Sequence, residues 1–454
     1  MDTNSKLNNW EDPHYVHPWH DFKKEANHFA LASKGEGIYI YDQNGSRHID
    51  GPGGMWCVNL GYGRTEIADA ISEQAKKLPY CSPWYYSNEP AANLAKKIAE
   101  RTPGDLNNVF FTTCGSTAID SALRFVQFYF NFLDQPQKKT VIARDKGYHG
   151  STYFAASISG KERDKRKLDT LSENISFLSD VNPNLRDTNE TESQWCDKKV
   201  AELEEKILEL GAENVAAFVA EPILASGGVV IPPKGYHKRT KTICEKYEVL
   251  YISDEVVTGF GRLGHWFASE EVFDIIPDII TCAKGLTSGY IPMGATIISN
   301  KLMQNLQNTN YEEIIFSNGF TYSGHPVSAA AGLKVIEIME RENTLQHVQS
   351  ITPLFQERLK AIETKFSIVK EARGIGLLGC LEGNIGTATT EESKLKKDYD
   401  FGSLIDKAAE KRGLIIRPII NMCVFSPPLT ITKEEINILF DILEESLKEV
   451  ENTI

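Results

Sequence analysis

The chain has 454 residues, 41% of them hydrophobic and 24% charged, a balance that builds one large or two moderate globular domains and excludes a disordered chain. A formal net charge of −13 argues against nucleic-acid binding, which needs a basic face. No apolar run approaches the roughly 18 residues of a membrane span, and the opening MDTNSKLNNWEDPHYVHPWHDF lacks the basic-then-apolar pattern of a secretory signal, so a cytoplasmic protein without a membrane partner is expected.

In chain order, GIYIYDQNGSRHIDG (37–51) alternates around the turn DQNG and predicts a strand pair. LNNVFFTTCGSTAIDSALRFVQFYF (106–130) passes from an extended run, through Gly115, into helical periodicity. From about 139 to 335, short β-branched runs (KTVIARD, VAAFVAEP, VLYISDEV, DIITCA, ATIIS) alternate with helical stretches such as 200–211 and 238–247. That alternation predicts an α/β fold with a largely parallel sheet covered on both faces. The polar segment 161–199 reads as a loop-rich insertion, and from 330 onward helices dominate. The last helix has Thr432 and Glu435 as a capping box, followed by Ile436, Leu439, Leu443, Leu447 and Val450 at helical spacing. The eight cysteines form no C-x-x-C pair and read as free thiols of a reducing compartment, with no metal site.

Sheets of this kind bind ligands at the carboxyl ends of their strands. The runs above end at Gly115 and Ser116, at Tyr148 and His149, at Glu221, at Asp254 and at Lys284. Singly, each has a plain reading: Lys284 a snorkelling surface lysine, Asp254 a strand-end turn, Ser116 a helix cap. Together they suit pyridoxal phosphate. A glycine–serine helix start offers backbone N–H groups to a phosphate. A buried aspartate keeps a pyridine nitrogen protonated, so the ring acts as an electron sink. A desolvated lysine has a lowered pKa and can bond to an aldehyde, and a tyrosine can stack on the ring.

The chain resembles the class III, fold-type I pyridoxal-phosphate aminotransferases of the omega-amine:pyruvate branch. The resemblance runs through HPWHDF (17–22), GGMWCVNLGYGR (53–64), GYHGST (147–152), EPILASGGVVIPPKGY (221–236), SDEVVTGFGRLG (253–264), AKGLTSGYIPMGA (283–295), FTYSGHP (320–326), RGIGLLG (373–379) and FSPPLTIT (425–432). It implies a large domain (60–335) with a mostly parallel seven-stranded sheet, and a smaller α+β domain drawn from both termini (1–59 and 336–454). It implies that Lys284 carries the cofactor, Asp254 pairs with the pyridinium nitrogen, and Val256 packs on the ring opposite Tyr148. Gly115 and Ser116 would hold the phosphate, Glu221 would lie by the ring hydroxyl, and Thr321 would reach the cofactor phosphate of a second subunit. Trp56, Trp19, Trp84 and Tyr85 would line the substrate pocket, the last three from across a dimer interface, and Arg417 would grip a carboxylate. The partners implied are an omega-amine (taurine, beta-alanine, a diamine or similar), pyruvate, and a second copy of the chain in a dimer or dimer of dimers. Other reactions on the same cofactor, decarboxylation or an aminomutase, are the alternative, with a non-catalytic regulator behind them. Two departures from the family pattern stand out: Ser226 where an acidic residue is common, and Thr117 where glutamate is common.

Overall fold

The computed structural model describes residues 14–19, 22–23, 31–386 and 390–454, so His20 and Asp21 of the 17–22 motif lie outside the described residues. Its centre is a seven-stranded sheet in the order Leu106–Thr112, Gly294–Ser299, Ile279–Cys282, Leu250–Asp254, Val215–Ala220, Thr140–Arg144, Ile175–Leu178. The Gly294–Ser299 strand runs antiparallel to both neighbours, and every other pairing in the sheet is parallel. Between Cys282 and Gly294 lies only the 3-10 turn Lys284–Thr287, not the crossover helix a parallel return requires. All six side chains of Val215–Ala220 are buried, as expected where helices cover both faces. One face packs on the helix Gly115–Phe132 through Ile119, Phe125 and Val126, the other on Leu203, Ile207 and Ile243.

The segment 161–199 departs from the loop-rich expectation. It holds the edge strand Ile175–Leu178 and the start of a helix, Glu192–Leu210, capped reciprocally by Thr191 and Gln194. That strand has four residues, too few to show a period against its polar flanks.

The predicted hairpin forms from Tyr39–Asp42 and Arg47–Asp50, and Asp42 Oδ1 accepts the backbone N–H of Asn44 and of Ser46 at 2.8 Å each. Leu414–Ile415 adds to it in parallel and brings the two ends of the chain into one sheet. A second sheet, Val369–Ile375, Leu378–Gly383, Met422–Phe425 and Pro418–Ile419, interrupts the helices expected after 330. Both sheets share a core with the helices Thr344–Lys365, Glu391–Glu410 and Lys433–Thr453, in which Ile38, Ile49, Phe355, Phe401, Leu414, Phe425 and Phe440 meet. The last helix carries the expected box: Glu435 N donates to Thr432 Oγ1 at 3.1 Å and Thr432 N to Glu435 Oε2 at 2.9 Å. All eight cysteines are unpaired. Among the described residues no helix is long and apolar enough to cross a membrane, and no cluster of side chains is built to hold a metal ion.

Candidate active site

The strand Leu250–Asp254 delivers Asp254 to its carboxyl end, where the register sets it opposite Thr281 of the next strand. Thr281 Oγ1 and Val256 N each donate to Asp254 Oδ1 at 3.2 Å, and His149 Nδ1 lies 2.7 Å from Oδ2. Asp254 and His149 are both buried, so each is the main polar partner the other has.

Lys284 follows the strand Ile279–Cys282 after a single residue, and its backbone is left-handed at φ 45°. Trp56 is left-handed too, at φ 61°, and the Lys284 Nζ stands 5.0 Å from its ring. Non-glycine residues hold that backbone at a cost of about 1–3 kcal/mol each, which persists only where the surroundings enforce it. Burial pulls the Lys284 ammonium below the usual lysine pKa, while Asp254, Cys57 and Glu221 oppose the shift and Arg417 adds to it. A neutral amine, the nucleophilic form, is thereby favoured more than on a surface lysine.

Glu221 follows the strand Val215–Ala220. Its Oε1 accepts from Tyr148 N at 2.9 Å and its Oε2 from Ala225 N at 3.1 Å, and burial pushes its carboxyl pKa up. The helix Gly115–Phe132 begins at the end of its strand with no room for a side chain: a Cβ on Gly115 would sit 2.9 Å from Val256 Cγ1. Gly150 is as tight, at φ 144° with Ser116 Cα 2.7 Å from a would-be Cβ. Ser116 Oγ accepts from Ser151 N at 3.0 Å. Thr117 closes the start of the helix, because its Oγ1 accepts from Cys114 N at 3.0 Å and from Thr113 N at 3.2 Å.

These groups surround one cavity of about 830 Å³. Lys284, Asp254, Gly115, Ser116, Tyr148, Glu221, Val256, Trp56, Trp19 and Arg417 all line it. The Arg417 guanidinium lies 5.3 Å from the Trp19 ring, burial lowers its pKa, and no carboxylate among the described residues is within ion-pair distance of it. Trp19 stands over the arginine of its own chain and lines the cavity there, where the resemblance implied a place across an interface. Thr321, Trp84 and Tyr85 do not reach this cavity from their own chain. Trp84 and Tyr85 are 85% and 78% exposed, and Tyr80 Oη donates to Thr321 O at 3.0 Å, tying the two segments into one face.

Two groups at the site have no role legible in the sequence. His149 is visible there as a strand end but not as the partner of Asp254, a contact made across two strands. Lys161, Arg163 and Asp164 line the cavity from a stretch whose polar composition reads as solvent-facing loop.

The close-approach glycines, the buried aspartate and the desolvated lysine fit pyridoxal phosphate. A family model for class III aminotransferases matches residues 22–447. The chain belongs to that family. Class III aminotransferases are pyridoxal-phosphate enzymes, and this chain is an aminotransferase of fold type I. It is 38% identical to the putrescine–pyruvate aminotransferase of Pseudomonas aeruginosa, over 98% of this chain and 97% of the relative. It is 37% identical to gamma-aminobutyrate transaminase 1 of Oryza sativa subsp. indica, over 94% of this chain and 83% of that one. Among solved structures, the omega-transaminase of Pseudomonas jessenii in complex with PMP superposes with a TM-score of 0.90 at 30% identity, covering 97% of each chain. A transaminase from ancestral reconstruction superposes with a TM-score of 0.91 at 34% identity, again covering 97% of each chain.

Proposed function

We propose that this aminotransferase moves an amino group from an omega-amine donor to pyruvate in two half-reactions that share one pocket, a ping-pong scheme. Pyridoxal phosphate supplies the electron sink that accepts the negative charge developing at the reacting carbon. The chain's own residues do the rest. Asp254, fixed by His149, Thr281 and Val256 N, holds a proton on the pyridine nitrogen. Lys284 bonds the cofactor at rest. The Lys284 Nζ, when free, would take the proton from the amine-bearing carbon as general base and give it back as general acid. Tyr148 and Val256 would hold the ring, the N–H groups of Gly115 and Ser116 would bind the phosphate, and Glu221 would serve the hydroxyl side. Arg417 receives the carboxylate of pyruvate as a two-pronged donor, and Trp56 and Trp19 enclose the donor's apolar part. Thr321, Trp84 and Tyr85 act on the cavity of a second copy in a homodimer or dimer of dimers, working in the cytoplasm.

The observation that carries this reading is Arg417: a partly buried cation without a carboxylate partner among the described residues, lining the same cavity as Lys284. An unpaired buried charge is unfavourable, and a substrate carboxylate relieves it. The relatives named putrescine–pyruvate and gamma-aminobutyrate transaminases support an amine remote from any carboxylate as donor. The test supplies an omega-amine without keto acid, then pyruvate or 2-oxoglutarate. The expected course is conversion of the cofactor to its amine form, then alanine formation on adding pyruvate. Loss of carbon dioxide, or migration of the amine within one molecule, would assign the chain to the alternative reactions.

A further inference from the structure

Lys161 lines the cavity and has no part in the scheme above. Its Nζ donates to Ser226 Oγ at 2.8 Å and to Ser226 O at 3.2 Å, and only 12% of its side chain is exposed. Ser226 is itself buried, so the ammonium is held in place rather than free to swing into solvent. Asp164 Oδ2 lies 3.3 Å from Lys161, but the same carboxylate also takes Arg163, whose Nη2 is 2.8 Å from its other oxygen. Lys161 also lies 5.7 Å from the ring of Tyr148, which lines the same cavity as Arg417. On this wall stand Lys161, Arg163 and Arg417 with one carboxylate, Asp164, which takes Lys161 and Arg163 and leaves Arg417 without an ion-pair partner among the described residues. The pocket flank is thus positive in a chain whose net charge is −13. Inside a partly enclosed cavity that field is weakly screened. The remaining carboxylates of the cavity, Glu221 and Asp254, are buried and already hold donors, and Glu221 offsets part of the Lys161 charge.

We infer that Lys161, anchored on Ser226, is a specificity-determining residue: with Arg417 it selects substrates whose far end is an anion, tolerates an uncharged end, and rejects donors that carry a second ammonium. The inference rests on the proposed amine-to-pyruvate reading and narrows its donor class. Two features act together, the anchored ammonium and the excess of cations over carboxylates on this flank. Either alone would describe an ordinary lysine.

The test uses the holoenzyme and three four-carbon donors that differ only in the far end: 4-aminobutyrate, butylamine and 1,4-diaminobutane. Each half-reaction is followed separately through the cofactor spectrum. Wild type should prefer 4-aminobutyrate to the diamine. Lys161→Met should lower kcat/KM for 4-aminobutyrate about tenfold, raise it for the diamine several-fold, and leave butylamine within about twofold, while Lys161→Arg keeps the wild-type order. Calorimetric titration with butyrate, which carries no amine to react, gives a readout independent of turnover: Lys161→Met should weaken it about tenfold and Lys161→Arg should not. Equal changes for all three donors, unchanged butyrate binding in Lys161→Met, or a wild type that prefers the diamine would overturn the inference and leave the transaminase reading standing. Failure of every amine with pyruvate while butyrate binding still depends on Lys161 would overturn the reaction and keep the charge selection.

Discussion

Lys284 and Trp56 meet at 5.0 Å with both backbones left-handed, and two such residues in contact point to a site that imposes its geometry. Lys284→Ala should abolish turnover yet retain the cofactor, because Asp254 and the Gly115–Ser116 turn remain. Borohydride reduction of wild type should place a stable label on Lys284, and peptide mapping that found it on another lysine would sink the assignment. Arg417 invites a sharper measurement. A charge-assisted pair is worth roughly 1.5–3 kcal/mol, so Arg417→Ala should weaken pyruvate by about ten- to a hundred-fold. Butylamine, which has no carboxylate, should lose little. Equal losses in the two half-reactions would mean that Arg417 supports the fold rather than the substrate.

At the scale of elements, the cavity depends on how closely strand ends and helix starts approach. Gly115 opens its helix against Val256, whose β-branched side chain has little freedom to turn away. Gly115→Ala should shift the helix start and weaken cofactor affinity about tenfold, read by titrating the apoenzyme with pyridoxal phosphate. Because Val256→Ala also removes a contact to the ring, the double variant is compared with Val256→Ala alone: once the valine methyls are gone, adding Gly115→Ala should cost little more affinity. If Gly115→Ala costs as much in the Val256→Ala background as in wild type, the clash is not the cause. The small sheets offer a different kind of test. Burial within the helix Glu391–Glu410 pushes the Asp406 carboxyl up to about 6 from 3.8, with Glu410 one turn away adding to the shift. Because the folded state binds this proton more tightly, stability from Asp406 is greatest below pH 3.8 and declines as pH rises through about 6. At pH 7 the buried charge is a liability, and Asp406→Asn should stabilise the protein by roughly 1 kcal/mol after allowing for partial solvent screening. The gain in urea midpoint should shrink towards pH 5, and a gain independent of pH would assign it to packing instead.

For the whole molecule, the exposed aromatics matter most. Trp84, Tyr85, Tyr86 and Tyr322 are 85%, 78%, 69% and 58% exposed, more apolar surface than a monomer usually leaves in one region. The rings of Tyr80, Tyr322 and His325 meet edge-on or tilted, with centroids 5.7–6.2 Å apart, and join the Thr321 turn to the same face. We propose that a homodimer buries this face and that Thr321, Trp84 and Tyr85 then serve the other copy's cavity. Sedimentation at assay concentration should show a dimer, and Tyr86→Glu should yield monomers without activity. A fully active monomer would refute shared sites.

Six strands of the large sheet, their order along the chain and the residues at their ends were legible in the sequence, whereas the strands after 369 were not, being short and set among helical stretches. Runs such as VAAFVA and LYISD are apolar throughout because both faces are covered, and a polar residue ending such a run stands out. Lys284, Asp254, Glu221, Tyr148 and Gly115 were all found that way, and the 432–435 capping box followed from local spacing alone. Three features needed the tertiary structure. The antiparallel course of Gly294–Ser299 follows from a link without a crossover helix, and the strand's own apolar pattern is blind to direction. The edge strand Ile175–Leu178 takes its identity from pairing with Thr140–Arg144, not from its four residues. The charge of the pocket wall is a sum over Lys161, Arg163 and Asp164, which are neighbours in one segment, and Arg417, which lies far along the chain and meets them only when it folds. Hydrophobic periodicity is a local property written along the backbone, whereas the field in a cavity and the partner of a buried carboxylate are distances between segments, and those exist only once the sheet has closed.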